Sequence, residues 1–361
     1  MKQQSDLTHK NILVTGSPGF IGAHLVNRLL KVMNGGIVVS LDNMNDYYDV
    51  TLKEHRLAWI ERISEASQTK HIFVRGSISD SELVTGLFEK YRFDIVVNLA
   101  AQAGVRYSID HPDVFIESNI IGFYNILEAC RHSYDGGAKG VQHLIYASSS
   151  SVYGENAKVP FSPQDRTDQP VSLYAATKKC DEMLAYTYAK LYNVPSTGLR
   201  FFTVYGPAGR PDMFYFKAAG KLAEGKKIQV FNYGKMKRDF TYIDDIVEGI
   251  LRVMEGAPAK AAGDGQPSAA PHALYNIGGG HPVGIMDFLN TLKEELVKSG
   301  VLDTAFSLED HLELIGPQPG DVTGTYADTT DLEKDYDFSP SVGLREGLRM
   351  FCEWFRDYTI M

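Results

Sequence analysis

The chain has 361 residues, 44% of them hydrophobic, so it can bury a substantial core as one large domain or two closely joined ones. Its formal net charge of -9 argues against a general surface for nucleic acid or anionic membranes. Three scattered cysteines predict neither a disulfide framework nor a zinc site and favour a reducing cytoplasm. We expect no signal peptide, no membrane span and no catalytic metal, since neither the apolar runs nor the metal-ligand spacings are present.

The first predicted unit is a strand, a glycine-rich turn and a helix. The apolar run 11–15 predicts a buried strand, and Ile21, Leu25 and Leu29 recur at helical spacing. Between them lies a GxxGxxG sequence, 16–22. Its glycines allow a tight turn, close approach to a pyrophosphate and close helix packing, while the helix N-terminus offers N–H groups to phosphates. The unit therefore predicts a dinucleotide site.

A second predicted strand, 37–41, ends at Asp42, about twenty residues beyond the last glycine, where a ribose-binding acid is expected. A carboxylate there accepts hydrogen bonds from both adenosine ribose hydroxyls and repels a 2′-phosphate. Asp42 therefore predicts NAD in preference to NADP. The alternative that Asp42 only caps the following loop stays open.

Further apolar strands alternate with helical segments, namely 71–75, 94–99, 141–147 and 196–200. This alternation predicts an α/β fold with a Rossmann-type doubly wound parallel sheet. We expect residues 1–205 to form mainly the dinucleotide-binding domain. Shorter elements after Pro207 predict a smaller α/β lobe over 206–361, with some chain crossing back. The Ala-, Gly- and Pro-rich segment 257–272 predicts an exposed loop.

Polar motifs follow three of these strands, at 98–104, 148–151 and 201–207. Loops at the carboxyl ends of parallel strands form the binding crevice of such sheets. Between the last two motifs, Tyr174 and Lys178 are four residues apart, which places both on one face of a helix. A nearby ammonium favours the ionised phenol and makes it a usable general base. An isolated pair of this kind is more often a solvated surface pair, so the surrounding motifs carry the interpretation.

Taken together, these segments resemble the UDP-glucuronate 4-epimerases, a family of extended short-chain dehydrogenase/reductases. The resemblance covers nearly the whole chain and is carried by 16–22, 100–106, 148–154, 174–178, 200–212 and 233–245. It implies NAD as the cofactor and a UDP-hexuronic acid as the substrate. It also implies that the product, UDP-galacturonate, is used in polysaccharide synthesis. It also implies a homodimer formed through helices at 112–130 and 171–192.

The resemblance also assigns roles by position. It makes Ser149, Tyr174 and Lys178 the catalytic set, whereas the serine run alone leaves the choice of serine open. It assigns the cofactor to Gly16, Gly19, Phe20, Ile21, Gly22, Asp42, Ser77, Ile78, Ala100, Ala101, Tyr174 and Lys178. It assigns the UDP-sugar to Arg106, Ser150, Ser151, Thr203, Arg210, Arg238 and Asp321. Many relatives carry Asp where this chain has Ser77, and they use it at the adenine.

The implied reaction is a transient oxidation. Tyr174 removes the proton of the sugar 4-hydroxyl while C4 gives hydride to NAD, and the 4-keto sugar turns and takes the hydride back on its other face. Dehydrating relatives carry an Asp-Glu pair after the catalytic Thr, and decarboxylating relatives carry Glu at the position of Ser151. This chain has Ser150 and Ser151 there. Two alternatives stay open: a 4-epimerase of neutral UDP-hexoses or UDP-N-acetylhexosamines, and a non-catalytic NAD-binding sensor.

Overall fold

The computed structural model describes residues 2–4, 6–259, 269–317 and 324–360. Its strands are β1 (Lys2–Gln4), β2 (Asn11–Thr15), β3 (Ile37–Asp42), β4 (Lys70–Arg75), β5 (Ile95–Asn98), β6 (His143–Ser149), β7 (Ser196–Phe201), β8 (Thr203–Tyr205), β9 (Ile228–Val230), β10 (Lys237–Tyr242), β11 (Gly256–Pro258), β12 (His272–Ile277), β13 (Pro282–Gly284) and β14 (Leu312–Leu314). Its α-helices are α1 (Phe20–Val32), α2 (Val50–Glu65), α3 (Ser81–Tyr91), α4 (Tyr107–Asp110), α5 (Pro112–Phe115), α6 (Gly122–His132), α7 (Leu173–Tyr192), α8 (Phe214–Ala223), α9 (Ile243–Met254), α10 (Ile285–Lys298), α11 (Thr330–Tyr336) and α12 (Leu344–Ile360).

A seven-stranded sheet forms the centre of the molecule, in the order β12-β7-β6-β5-β2-β3-β4. Every neighbouring pair in it is parallel. The chain builds outward from β2 to β4 and then restarts on the other side of β2 with β5. The strand order therefore reverses between β2 and β5, and such a reversal opens a crevice at the carboxyl ends of the strands. The predicted doubly wound sheet is confirmed.

Both faces of this sheet are covered, which explains why its strands are apolar along their whole length. On one face, α1 and α9 pack together, with Leu25, Leu29 and Ile250 inaccessible to solvent. On the other face, α3, α6 and α7 bury a second cluster that includes Ile126 and Ala185. The first cluster continues into α8, α10 and α12, so the C-terminal half shares a core with the sheet.

The C-terminal half also contributes smaller sheets. Strand β10 pairs with β8 in parallel and with β13 in antiparallel orientation, and β9 pairs with β14. Strand β12, although it follows residue 206, forms the edge of the central sheet beside β7. The division near residue 205 into a mainly NAD-binding part and a mainly UDP-sugar-binding part, with some chain crossing back, stays a prediction.

Three local predictions differ from the structure. The motif 201–207 is not a loop throughout, because Thr203–Tyr205 is a strand that pairs with β10. The predicted loop 257–272 begins inside β11 and ends at the start of β12, and its part at 260–268 lies outside the described residues. The helical stretch 112–130 is interrupted by a π-helical segment, Ile116–Ile121, which joins α5 to α6. The first two differences arise because these strands form by pairing with distant parts of the chain, which the local sequence does not encode.

Within the described ranges, no helix is long and apolar enough to cross a membrane. The same ranges hold no group of three or more His, Cys, Asp or Glu side chains that could bind a metal ion.

Candidate active site

A single cleft of about 620 Å³ opens at the carboxyl ends of the central strands. It is lined by the glycine-rich turn, by the loops after β3, β4 and β5, by the end of β6, by the start of α7 and by the segment after β7. All predicted site residues except Asp321 line this cleft. Asp321 lies outside the described residues.

The glycine-rich turn leaves no room for side chains. Gly16 has a φ of +71°, and a Cβ there would lie 2.7 Å from the backbone nitrogen of Ala100. A Cβ on Gly22 would lie 2.2 Å from the carbonyl oxygen of Gly16. Helix α1 begins at Phe20 without a side-chain cap and without an acid in its first turn. Its first N–H groups are therefore suited to a pyrophosphate, and the turn fits a dinucleotide.

Asp42, the last residue of β3, is 9% exposed, and its Oδ1 accepts a hydrogen bond of 2.7 Å from the backbone N–H of Met44. Lys53, on α2, places its Nζ 3.6 Å from the same oxygen and donates to Asn45. Burial lowers the pKa of Lys53, although Asp42 opposes that shift. The sequence analysis missed Lys53, because an eleven-residue separation across a loop gives no local signal.

Residues after β4 line the cleft beside this acid. The hydroxyls of Ser77 and Ser79 are hydrogen-bonded at 2.8 Å, and Ser79 donates to Glu117. Ile78 is buried, and its carbonyl accepts from Asn125 on α6. Ser77 thus presents a hydroxyl, already engaged with its neighbour, where the resemblance implies an adenine contact.

Strand alternation separates the first two serines of the serine run. Ser148 donates at 2.7 Å to the buried carboxylate of Glu182, on α7. Ser149 has an extended backbone and caps a 3-10 turn, accepting from the N–H of Ser151 at 3.2 Å. Its hydroxyl also lies 3.2 Å from that of Ser151. Ser148 is therefore committed to a buried network with α7, whereas the Ser149 hydroxyl is bonded locally to Ser151 and lines the cleft.

Helix α7 begins at Leu173, with Ser172 as its N-cap, so Tyr174 lies in the first turn and Lys178 one turn later. Tyr174 packs edge-on to Phe115 at a centroid distance of 6.2 Å. Lys178 is buried, and its Nζ donates to Asp181 at 3.1 Å. Sequence reasoning identified the lysine but missed this acid partner.

The π-helical segment supplies the residue that fixes α7 against the loop after β5. Asn119 is 1% exposed and accepts from the N–H of Gln102 at 2.8 Å. Its amide donates to the Gln102 carbonyl at 3.1 Å and to Thr177 at 2.9 Å. The wider turn of a π-helix turns Asn119 inward, a common device at functional sites. Asn119 thereby couples the Ala100–Ala101 loop to the helix of Tyr174.

Arg210, predicted to meet phosphate, forms a two-point pair with Asp212 in this structure, with Nε 3.0 Å from Oδ1. Tyr47 donates to the other Asp212 oxygen at 3.1 Å. Burial, reinforced by Asp212, raises the pKa of Tyr47 to about 12, so it remains a donor. Arg210 thus faces the cleft with one carboxylate already bound. Tyr47 lies in no sequence motif, and Asp212 ends the segment 200–212 that carries the resemblance but was assigned no role.

The remaining predicted substrate residues line the cleft as well. Arg106 stacks on the ring of Phe231 at 4.3 Å, and Arg238 donates to the carbonyl of Lys237 at 3.0 Å. Ser150, Ser151 and Thr203 are half-buried along the wall. Residues 235–238 include three basic side chains. Of these three, Arg238 is the one that lines the cleft in the described part of the chain.

Comparison with known proteins agrees with this geometry. Residues 12–278 match the model of the NAD dependent epimerase/dehydratase family. UDP-glucuronate 4-epimerase 2 of Arabidopsis thaliana is 44% identical over 352 residues, covering 96% of this chain and 76% of that protein. A probable UDP-glucuronate 4-epimerase of Rhizobium meliloti is 40% identical over 350 residues, covering 95% of this chain and 96% of that protein. The chain belongs to the NAD-dependent epimerase/dehydratase family.

A solved structure extends this likeness to three dimensions. The crystal structure of UDP-glucuronic acid 4-epimerase from Bacillus cereus, in complex with UDP-glucuronic acid and NAD, superimposes with a TM-score of 0.80 at 31% identity. The match covers 96% of this chain and 99% of that one. The fold of this epimerase/dehydratase family member therefore matches that of a nucleotide-sugar epimerase over 96% of the chain.

The charge of the cleft is opposite to that of the whole chain. Among the described residues, those that line it include six with basic side chains, Lys53, Arg106, Lys178, Arg210, Lys217 and Arg238, and two with acidic ones, Asp42 and Asp212. The chain as a whole has a formal charge of -9. A cationic cleft in an acidic protein attracts small anions selectively, which suits a family that binds a dinucleotide.

One further residue holds the two halves of this family member's cleft together. Arg56, on α2, is inaccessible to solvent and donates to the backbone carbonyls of Pro18, Ala208 and Gly209 at 2.8 to 3.1 Å. Pro18 belongs to the glycine-rich turn, and the other two precede Arg210. Sequence reasoning missed Arg56, because its partners are up to 153 residues away.

Proposed function

We propose that this protein interconverts UDP-glucuronate and UDP-galacturonate by inverting the configuration at C4. The observation that carries the proposal is the meeting of Ser149, Tyr174 and Lys178 with the glycine-rich turn in one cationic cleft. UDP-glucuronate 4-epimerase activity in proteins similar over the whole chain supports it. In this account the protein is an isomerase.

The fit to a dinucleotide is carried by the turn and by Asp42. Gly16 and Gly22 leave the backbone open to a pyrophosphate, and the uncapped start of α1 supplies N–H donors. Asp42 and Lys53 would hold the adenosine ribose, the acid by accepting from its hydroxyls. NAD, when bound, takes a hydride from C4 of the sugar and returns it.

The protein's own groups handle the proton. Tyr174 accepts the 4-hydroxyl proton, and Ser149 holds the oxygen by a hydrogen bond while the C4–O bond becomes a carbonyl. Lys178 favours the phenolate by its charge. A free phenol has a pKa of about 10, so a base that works near neutral pH needs help from nearby positive charge. On re-reduction Tyr174 gives the proton back, so that the enzyme returns to its starting state.

A uronate substrate adds a specific requirement. Its 4-ketone is a β-keto acid, which loses carbon dioxide readily unless the carboxylate charge is held in place. The hydroxyls of Ser150, Ser151 and Thr203 line the wall of the cleft and can donate to that carboxylate. The 4-epimerases of neutral UDP-hexoses have no such requirement, so the hydroxyl wall favours the charged sugar.

Incubation of the purified protein with UDP-glucuronate and NAD, followed by separation of the nucleotide sugars, tests the proposal. UDP-galacturonate should form and approach a fixed ratio from either side. Much faster epimerisation of UDP-glucose or UDP-N-acetylglucosamine would move the assignment to the neutral sugars. No turnover of any UDP-sugar, with NAD retained, would favour the non-catalytic sensor.

The hydroxyl wall gives the test of substrate class. Replacing Ser151 and Thr203 with Ala should lower turnover of UDP-glucuronate far more than turnover of any neutral sugar, since each lost charge-assisted bond costs about 1.5–3 kcal/mol, or roughly tenfold to a hundredfold. These variants should also release some UDP-pentose through decarboxylation. Equal losses on charged and neutral sugars would instead mark general damage to the cleft.

We also propose that the protein acts as a cytoplasmic homodimer whose product is consumed by glycosyl transfer into polysaccharide. Helices α6 and α7 pack side by side and leave large apolar side chains exposed: Tyr124 on α6 at 45%, and Met183, Tyr186 and Leu191 on α7 at 62%, 53% and 66%. Ile121, at the end of the π-helical segment that leads into α6, is 46% exposed. A patch of this kind on two adjoining helices fits a second copy related by a two-fold axis. Cys130, Cys180 and Cys352 are unpaired, as a reducing compartment keeps them.

A further inference from the structure

A buried acid binds the lysine of the catalytic set. The Nζ of Lys178 donates to Oδ2 of Asp181 at 3.1 Å, and the two side chains are 3% and 2% exposed. Both residues lie on α7, three positions apart, with Lys178 about one turn and Asp181 about two turns beyond Tyr174. The lysine that is expected to favour the phenolate therefore has a negative charge on its other side.

Among its neighbours, Lys178 is the group that stabilises the negative charge of Asp181. Its second oxygen, Oδ1, is buried and has no hydrogen-bond partner in the described part of the chain. Glu182, the next residue, is bound to Arg200 on β7 at 2.7 and 2.9 Å and repels Asp181 without bonding to it. On β6, Tyr146 faces Asp181 with its hydroxyl bonded to His272, on β12. Burial raises the pKa of the Cys180 thiol, beside it on α7.

Burial among these groups raises the pKa of the Asp181 carboxyl; Lys178 opposes this shift, and Glu182 adds to it. At 3.1 Å the ionised carboxyl forms an ion pair with the Lys178 ammonium. The carboxylate then cancels part of the Lys178 charge, which disfavours the Tyr174 phenolate.

We propose that Asp181 is a positioning residue that holds the Lys178 ammonium in place and partly cancels the charge by which it favours the Tyr174 phenolate. The inference rests on the proposed function, since it assigns Tyr174 as the base. It adds a partner that no motif of the family supplied. It also predicts that the protonation of Asp181 and of Tyr174 are coupled, each negative charge opposing the other.

Asp181→Asn tests the proposal, because the amide keeps the shape and an oxygen acceptor for Lys178 but removes the charge. The acidic limb of kcat against pH should move down by about 0.5 to 1 pH unit, which raises kcat on that limb about threefold to tenfold. The KM for UDP-glucuronate should change less than about twofold. A residue that served packing alone would alter thermal stability without moving the limb.

A second readout needs no substrate. The absorbance change on phenol ionisation is followed against pH in the NAD-loaded protein, and the same titration of Tyr174→Phe is subtracted to isolate Tyr174. The midpoint should lie lower in Asp181→Asn than in the wild type. If the wild type turned over no UDP-sugar, the proposed function would fail, while this titration would still decide the role of Asp181.

Two further variants complete the design. Asp135→Asn removes a carboxylate that is 73% exposed and should move neither readout. Asp181→Ser should shift both in the same direction as Asp181→Asn, and it serves in its place should the asparagine protein not fold. An unchanged or raised Tyr174 midpoint in the folded variants would overturn the proposal, as would an equal shift in Asp135→Asn.

Discussion

At the residue scale, neighbours in sequence do different work because the backbone turns them to different sides. Ser148 points to Glu182, which in turn holds Arg200, whereas Ser149 faces the cleft. The same division occurs on α7, where Asp181 binds Lys178 and Glu182 binds Arg200. The groups proposed to be catalytic thus rest on a buried polar network that ties α7 to β6 and β7. Within it, both oxygens of Glu182 are hydrogen-bonded, which holds that side chain in one arrangement.

The assignment of the base predicts the behaviour of Tyr174→Phe. The variant should bind UDP-glucuronate and NAD but lose turnover by orders of magnitude, because the hydroxyl proton then has no acceptor. Binding by calorimetry and turnover by product analysis check the two parts separately. Near-normal turnover would refute the assignment.

The assignment of Asp42 to the adenosine ribose predicts that its replacement changes the preference between NAD and NADP. Asp42→Ala should weaken NAD and narrow its advantage over NADP, since the carboxylate no longer accepts from the ribose or repels a 2′-phosphate. Lys53, left without Asp42 in a buried site, would then favour the added phosphate. Affinities for both nucleotides measure the effect, and NADP found as the nucleotide of the denatured wild-type protein would contradict it.

At the element scale, the glycine-rich turn shows how closely the parts are fitted. Gly16 approaches the loop after β5, and Gly22 lies against Gly16, so that α1 starts directly behind the cleft. Thr15 reinforces the contact by accepting from the N–H of Ala100 at 3.1 Å and donating to Asn98 at 2.7 Å. The place where the strand order reverses is thus fixed by both glycine packing and side-chain hydrogen bonds.

This packing predicts that Gly16→Ala abolishes retention of bound NAD and lowers the melting temperature. The backbone conformation alone costs about 1–3 kcal/mol for a residue other than glycine, and the clash with Ala100 adds to that. Gly86→Ala is the matched control, since an added Cβ there meets nothing within 4 Å on helix α3. It should stabilise the protein by about 0.5–1 kcal/mol. Similar effects of the two changes would contradict the account.

The elements were predictable from sequence to different degrees, for physical reasons. Strand β2 with the turn and α1 follow from apolar periodicity and glycine spacing, and the helix of Tyr174 and Lys178 follows from the four-residue spacing of that pair; all of these signals are local. The π-helical segment around Asn119 and the strand at Thr203 depend on partners elsewhere in the fold. The pairs of Tyr47 with Asp212 and of Arg56 with Ala208 join residues 165 and 152 positions apart. No local pattern specifies such pairs.

At the scale of the whole molecule, an acidic protein encloses a basic cleft, and its two halves share one core. The continuity of the core through α1, α9, α10 and α12 holds the walls of the cleft at a fixed separation. The exposed apolar patch on α6 and α7 lies on the face of the sheet opposite to that core. Catalytic and proposed dimer surfaces therefore meet in α7, which carries Tyr174 near its start and Met183 and Tyr186 farther along.

The dimer proposal predicts that Met183→Glu combined with Tyr186→Glu produces a monomer, because two buried charges per subunit would face each other across the two-fold axis. Light scattering after size-exclusion chromatography gives the mass. Val159→Glu, at a side chain that is 55% exposed in a segment outside both helices, should leave a dimer. A wild-type protein that runs as a monomer would refute the proposal directly.

The central claim is transient oxidation at C4 with the hydride kept inside the cleft, and UDP-glucuronate labelled with deuterium at C4 tests it most directly. We expect UDP-galacturonate that carries all of the deuterium at C4. When hydride transfer limits the rate, this product should form more slowly than from the unlabelled sugar. Unlabelled substrate in heavy water should yield product without deuterium at C4. Loss of the label from C4 to solvent, or deuterium gained from solvent at C4, would contradict internal return of the hydride.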